Sequence, residues 1–148
     1  MPGLLRNISI LKRCSNLYRG DRLKEIPINP HHCTYVLAIC HHPGISQEEL
    51  AKHICIDKSG VARHLAVLEE QGYVKRIPSE KDKRCLLVYP TSMMEEILPK
   101  VRQATRDWNA YLAEGLSEEE LELFRSLLQR VTDRAKNYAD RREETDAL

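Results

Sequence analysis

The sequence predicts a mainly α-helical protein with a small β-wing, that is, a winged helix-turn-helix flanked by long dimerisation helices. Three observations lead to this fold class. Residues 46–71 contain two short capped helices with a brief turn between them. Two β-prone runs separated by a charged loop follow directly. Long amphipathic segments lie on both sides of this module.

The first short helix begins at a capping box. Ser46 can accept a hydrogen bond from the amide three residues on, and Glu49 can return to the amide of Ser46. Leu50, Ala51 and Ile54 then recur at helical spacing. This pattern predicts a helix with one apolar stripe.

The second short helix is predicted to begin after Asp57, a residue type that favours the N-cap position. Its apolar side chains recur at i, i+4 and i+7 and are predicted to face the core; they are Val61, Leu65 and Leu68. The other faces carry Lys58, Ser59, Ala62, Arg63 and Val67. Gly72 stands where a glycine commonly ends a helix. A helix with small polar and cationic side chains at its start is typical of a DNA-recognition helix.

A hairpin is predicted after Gly72. Residues 73–77 and 85–89 are short β-prone runs, and the polar stretch PSEKDKR between them has the length of a hairpin loop. A hairpin in this position makes the helix-turn-helix a winged one.

Long amphipathic helices are predicted on either side of the winged module. Residues 4–24 place apolar side chains on one seam, and residues 121–138 repeat them at alternating steps of three and four. Exposed seams of this kind predict an interface, and a two-fold homodimer closes it most simply. The predicted division is an N-terminal dimerisation helix at 1–28, the winged module at 29–90 and C-terminal dimerisation helices at 91–148. The predicted dimerisation residues are Leu4, Ile8, Leu11, Leu121, Phe124, Leu128 and Val131.

Composition narrows the class of protein. The chain has 148 residues and a formal net charge of +1, but residues 52–84 carry eight Lys/Arg against five Asp/Glu. This local excess suits a surface that faces nucleic acid. No apolar run approaches the roughly 18 residues of a membrane span, so no membrane association is expected. Five irregularly spaced cysteines without a CxxC pair favour a reducing, cytoplasmic location over a disulfide framework.

The run DKSGVARHLAVLEEQGYVKR, followed by SEKDKRCLLVYPTS, resembles the recognition helix and wing of the MarR family of bacterial transcription regulators. The most specific part is Asp82-x-Arg84 after the strand that follows Gly72. The resemblance implies a homodimer on double-stranded DNA, with a pseudo-palindromic operator whose half-sites lie on the order of 34 Å apart. It also implies that Arg84 enters the minor groove and that Asp82 orients it. The DNA-binding residues so implied are Lys58, Ser59, Gly60, Arg63, His64, Lys81, Asp82, Lys83 and Arg84.

Two of these positions depart from the family pattern. Gly60 and Ala62 stand where members often carry a larger side chain or a hydroxyl, which leaves base specificity open. Arg63 suits either a guanine edge or a phosphate. Lys58 is more suited to a phosphate, and His64 is as compatible with a surface position as with a DNA contact.

The resemblance further implies a signal that releases DNA, and three kinds stay open. Cys14, beside Lys12 and Arg13, resembles the sensing cysteine of peroxide-responsive members, although a small side chain in a dimer seam is the simpler interpretation. Trp108, Tyr111 and Tyr18 are candidates to line a pocket for a small aromatic or phenolic effector, although aromatics are more often core. Metal-capable side chains occur at both ends of one short helix, too far apart to share an ion within one chain, although two chains of a dimer could bring pairs of them together. Histidines that simply occupy the helix ends are the simpler interpretation, so no metal site is predicted. The side chains concerned are His31, His32, Cys33, His41 and His42.

The sequence therefore predicts a DNA-binding transcription regulator, a repressor released by a small-molecule effector, without cofactors. A thiol-based or metal-responsive regulator of the same fold is the alternative. A winged-helix module that binds protein or RNA is the alternative from another class. No phosphate loop, nucleophile motif or HExxH occurs, so an enzyme is not expected.

Overall fold

The computed structural model describes the backbone of residues 3–146 and the side chains of residues 3–142. This part of the chain forms six α-helices, one 3₁₀ turn and a small antiparallel sheet, which confirms the predicted fold class. It divides into two compact units, one ending at Trp108 and one beginning at Asn109. In chain order the elements are α1 (Leu4–Arg22), the 3₁₀ turn (Pro30–His32), α2 (Cys33–His41), β1 (Ile45–Ser46), α3 (Gln47–Ile54), α4 (Lys58–Glu70), β2 (Val74–Pro78), β3 (Leu86–Pro90), α5 (Ser92–Ala113) and α6 (Glu118–Asp146).

The capping box predicted for α3 is present. Glu49 N–H donates to Ser46 Oγ at 3.1 Å, and Ser46 N–H donates to Glu49 Oε2 at 3.0 Å. These bonds satisfy two amides that the first helical turn leaves without partners. A left-handed residue, Cys55 with φ 56°, then ends α3 and turns the chain toward α4.

Both ends of α4 are also as predicted. Asp57 Oδ2 accepts from Gly60 N–H at 2.8 Å and from the Ser59 hydroxyl. Those donors hold the pKa of Asp57 below its ordinary value, so the cap stays ionised. At the other end Gly72 has φ 84°, and the amides of Gly72 and Tyr73 donate back to the carbonyls of Glu69 and Leu68. This is a Schellman ending, which requires the left-handed conformation that glycine adopts at little cost.

The sheet has the order β1-β3-β2. β2 and β3 form the predicted hairpin, with Arg76 opposite Val88. β1 was not predicted, because two residues are too short for any periodicity, and it pairs Ile45 with Val88 on the other edge of β3. The sheet thereby ties the hairpin to the start of α3.

The core lies in the unit that ends at Trp108. The three predicted core residues of α4 are fully buried, and burial of one such leucine contributes roughly 1.5–3 kcal/mol. The inner face of α4 is therefore held firmly, and this sets which side chains its outer face presents. The largest fully buried side chains are Tyr35, Tyr73, Ile39, Leu50, Leu65, Leu68, Met94, Val36, Val61, Val74, Val88 and Val101.

Two helices, α1 and α6, contribute little to a buried core. In the first unit, α1 contains no buried residue. In the second unit, α6 begins at the predicted capping box of Ser117 and Glu120 and leaves most of its apolar side chains exposed. Among the described residues, no helix is long and apolar enough to cross a membrane.

Candidate nucleic-acid interface

The first turn of α4 presents the polar side chains predicted for DNA contact. Lys58 and Ser59 are exposed. Lys58 Nζ lies 3.2 Å from Glu48 Oε1 of α3, and the Ser59 hydroxyl donates to Asp57. The cation at the start of the recognition helix is thus already paired with a carboxylate within the chain.

Gly60 is buried beneath the cap. A Cβ at this position would lie 2.8 Å from Asp57 Oδ1 and 3.1 Å from Ile56 Cγ2. The departure from the family pattern therefore has a local structural reason, since any side chain here would disturb the cap. A contact of Gly60 with DNA stays a prediction.

Arg63 and His64, in the middle of α4, have different surroundings. Arg63 is exposed, and within the described residues it forms no hydrogen bond or ion pair. His64 points inward instead: its Nδ1 lies 3.0 Å from His32 Nε2. One of these nitrogens must carry the proton of that bond. Arg63 is thus available to a partner, whereas one nitrogen of His64 is already used.

A small buried polar cluster surrounds this histidine pair. The His32 ring meets the His64 ring in a T-shaped arrangement, with 5.2 Å between centroids. The Tyr35 ring is tilted by 47° to the His64 ring, with 5.4 Å between centroids. In the part of the chain that the structure describes, His32 Nδ1 and the Tyr35 hydroxyl have no hydrogen-bond partner. Burial lowers the pKa of His32, with further contributions from His64 and His31, and burial raises the pKa of Tyr35 to about 12. Both side chains are therefore neutral near pH 7.

The wing tip is exposed from Lys81 to Arg84. Asp82 Oδ1 accepts from the backbone amide of Arg84 at 3.0 Å, and the Asp82 carbonyl accepts from Cys85 N–H at 2.9 Å. Asp82 therefore shapes the backbone of the loop that carries Arg84. Within the described residues the carboxylate and the guanidinium form no ion pair, so the predicted orientation of the Arg84 side chain by Asp82 stays a prediction.

The wing and α4 share one groove. It has a volume of about 250 Å³ and contains Lys58 from the recognition helix together with Asp82 and Arg84 from the wing. The remaining lining residues are Gln47, Glu48, Cys85 and Leu86. The fold thus brings to one surface residues of the helix and the wing that are 24 or more positions apart in the sequence.

Arg76 holds the wing to this surface and was not predicted. Its Nη2 donates to Glu69 Oε1 at 3.1 Å, its backbone N–H to Glu69 Oε2 at 3.1 Å, and its Nη1 to Gln47 Oε1 at 3.3 Å. The Arg76 guanidinium holds the pKa of Glu69 below its ordinary value. The sequence signal was present as opposite charges on either side of Gly72, but their contact depends on how β2 folds back on α4.

Comparisons with known proteins bear on this geometry. The model of the MarR family matches residues 26–84. The HTH-type transcriptional regulator BilQ of Clostridium symbiosum (strain WAL-14163) is 32% identical over 83% of this chain and 85% of its own length. A crystal structure of MarR is 30% identical with a TM-score of 0.79, covering 93% of each chain. The chain belongs to the MarR family.

MarR-family proteins are transcriptional regulators, so the prediction of a DNA-binding transcription regulator is confirmed. A further MarR-family structure, of a MarR mutant from E. coli complexed with operator DNA, has a TM-score of 0.79 at 25% identity. It covers 88% of this chain and 94% of that chain. The matched residues 26–84 contain both helices and the wing tip described above.

A second concavity of this MarR-family chain is lined by α1, α2 and α4 and by the turn between α3 and α4. It has a volume of about 410 Å³, and Tyr35 and His64 form part of its wall. Two exposed or half-buried cations, Lys12 and Arg19, come from α1. The other lining residues are Ser15, Asn16, His31, Thr34, Ile54, Cys55 and Ile56.

The residues considered for sensing are only partly brought together. Cys14 is exposed on α1 and does not line either concavity. Tyr18 stacks on Trp108 at 4.9 Å, within the first unit, whereas Tyr111 belongs to the second unit and is exposed. Among the described residues, no group of three or more His, Cys, Asp or Glu side chains is arranged to hold a metal ion.

The predicted dimerisation residues lie on exposed helices. On α1, Leu4 is half-buried while Ile8 and Leu11 are exposed. On α6, Leu121 is half-buried, and the others are exposed; these are Phe124, Leu128 and Val131. Their role in a dimer stays a prediction for this MarR-family chain.

Proposed function

We propose that this MarR-family protein is a homodimeric repressor that binds a pseudo-palindromic operator in double-stranded DNA. It acts in the bacterial cytoplasm by binding alone, with no cofactor and no catalytic step, and a small effector releases it. The observation that carries the proposal is the groove shared by Lys58 of the recognition helix and Arg84 of the wing.

The recognition helix supplies the major-groove contact. Arg63 is exposed and without an ion pair in the described residues, so its guanidinium is available for a guanine edge or a phosphate. Lys58 must leave Glu48 before it neutralises a phosphate, at a cost that is small for an exposed pair. Ser59 adds a hydroxyl at the same end of the helix.

The wing supplies the minor-groove contact. Its exposed cations are Lys81, Lys83 and Arg84. A guanidinium is favoured in the negative potential of a narrow minor groove. The turn formed by Asp82 holds the backbone of Arg84 in place, which reduces the conformational entropy lost when Arg84 enters the groove.

Dimerisation gives two such contacts on one duplex. The exposed apolar side chains of α1 and α6 support an interface between two copies, because apolar patches of this kind are usually covered. A two-fold dimer presents two recognition helices to half-sites about one helical turn apart, on the order of 34 Å. The predicted operator is therefore pseudo-palindromic.

The second concavity supports a small aromatic or phenolic acid as the effector. The cations Lys12 and Arg19 suit a carboxylate, and the neutral Tyr35 hydroxyl has no hydrogen-bond partner among the described residues. His64 of the recognition helix lines the same space. An effector held here contacts the helix that binds DNA. This contact is the physical basis on which effector binding releases the protein from DNA.

Operator binding by an Arg84→Ala variant tests the proposal. The DNA is a labelled duplex selected from a random pool by the wild-type protein, and affinity is read by fluorescence anisotropy at fixed salt. Binding is expected to weaken by about 1–3 kcal/mol, since a specific arginine contact is lost. Arg102→Ala, which removes the same charge from an exposed position on α5, is the matched control. Unchanged affinity of Arg84→Ala would overturn the wing contact.

A further inference from the structure

We propose that Arg76 is a positioning residue for DNA binding, which fastens the wing to the recognition helix and so sets where Arg84 meets the DNA. The inference rests on the proposed two-part contact of helix and wing. Arg76 itself need not touch DNA, because its guanidinium is engaged within the protein.

The contacts of Arg76 join three elements. Its guanidinium and its backbone amide bind the two oxygens of Glu69 on α4, both at 3.1 Å. Its second terminal nitrogen donates to Gln47 Oε1 at the start of α3, at 3.3 Å. The Arg76 side chain is only 19% exposed, against 41% for Glu69. A planar fork of donors fixes direction as well as distance, which a flexible lysine does not do.

The position of Arg76 along the hairpin makes this contact effective. Arg76 lies in the middle of β2, opposite Val88, which also pairs with β1. A two-stranded hairpin is only marginally stable by itself. β2 ends two residues after Arg76, and the turn residues beyond it place the tip on the order of 10–20 Å from Arg76, since about 3.3 Å per residue is the extended limit. A tilt of about 10° at Arg76 therefore moves the tip by about 2–3.5 Å. A displacement of that size breaks a hydrogen bond to DNA.

The charge of Glu69 separates positioning from direct contact. If Arg76 were a phosphate ligand, removal of Glu69 would release its guanidinium, remove a negative charge and strengthen binding to a polyanion. If Arg76 positions the wing, removal of Glu69 weakens binding despite the gain in positive charge. The two roles therefore predict opposite signs.

The test compares Glu69→Gln with Glu70→Gln, which makes the same charge change at the adjacent exposed position of α4. Anisotropy with the selected operator duplex is expected to show about 5-fold weaker binding for Glu69→Gln, since coupled contacts are worth on the order of 1 kcal/mol. Glu70→Gln is expected to bind as wild type or slightly more tightly. Binding by Glu69→Gln that is as tight as by Glu70→Gln would overturn the proposal.

Two further variants keep the test independent of folding. Arg76→Lys retains the charge without the fork, so positioning predicts weaker binding, and binding equal to wild type contradicts it. The exchange Glu69→Arg with Arg76→Glu restores the pair, and affinity is expected to recover relative to either single change; no recovery also contradicts it. Melting temperatures confirm that each variant is folded. Arg84→Ala is measured beside them: if it alone weakens binding, only the positioning role fails, whereas unchanged binding by Arg84→Ala rejects the proposed wing contact itself.

Discussion

The exposed apolar face of α6 leads to a quantitative prediction about dimerisation. Leu128 is 44% exposed in the single chain. Full burial of a leucine contributes roughly 1.5–3 kcal/mol, so covering the part that is still exposed contributes a little under half of that. Each position occurs twice in a two-fold dimer, so Leu128→Ala is expected to lower the free energy of dimer dissociation by about 1.3–2.6 kcal/mol. The dimer dissociation constant is expected to rise roughly 10- to 70-fold.

Leu128→Glu is expected to have a larger effect, because it places two unpaired carboxylates in the interface. Sedimentation velocity or light scattering over a concentration series measures the dissociation constant, and operator binding is expected to fall together with dimerisation. Ser126→Glu is the matched control: it adds the same charge to α6, but about 200° around the helix from Leu128. A Leu128→Glu protein that stays dimeric at the concentrations where the wild type does would refute the α6 interface.

Two other predictions concern titration and charge. The lowered pKa of His32 means that the unfolded chain binds a proton more readily, so stability is fully present above about pH 6.5 and falls as the pH drops below it. The melting temperature is expected to fall more between about pH 7.5 and about pH 5.5 for wild type than for His32→Gln. The exposed His53→Gln variant is the control and is expected to behave as wild type. An equal fall for all three proteins rejects His32 as the cause. Glu48→Gln releases Lys58 and is expected to tighten operator binding by up to about 5-fold, a small effect as for any exposed pair. Weaker binding in anisotropy would mean that Glu48 supports the interface.

Local features of this fold were predictable because their causes are local. The helix caps formed by Ser46 with Glu49 and by Asp57 join groups only three residues apart. Gly72 adopts the left-handed backbone conformation that other residues rarely adopt. The inner stripe of α4 follows from helical spacing alone. These features suffice for the helix-turn-helix and for the hairpin after it.

Features that depend on distant partners were not predictable. The direction of His64 depends on His32, which is 32 residues earlier and belongs to another element. The contact of Arg76 with Gln47 spans 29 residues and requires the hairpin to fold back on α3. The sequence relates Gly60 only to DNA, whereas the structure shows that a side chain at this position would collide with the Asp57 cap. In each case the sequence shows which type of side chain is present but not which distant residue it contacts.

The central claim is that the recognition helix and the wing bind DNA together, one in each groove. Footprints of wild type and Arg84→Ala on the selected operator test it most directly, with dimethyl sulfate reporting guanine N7 in the major groove and hydroxyl radicals reporting the minor groove. At saturating protein, Arg84→Ala is expected to keep the major-groove protection and to lose the minor-groove protection beside each half-site. Loss of neither, or equal loss of both, would contradict the claim.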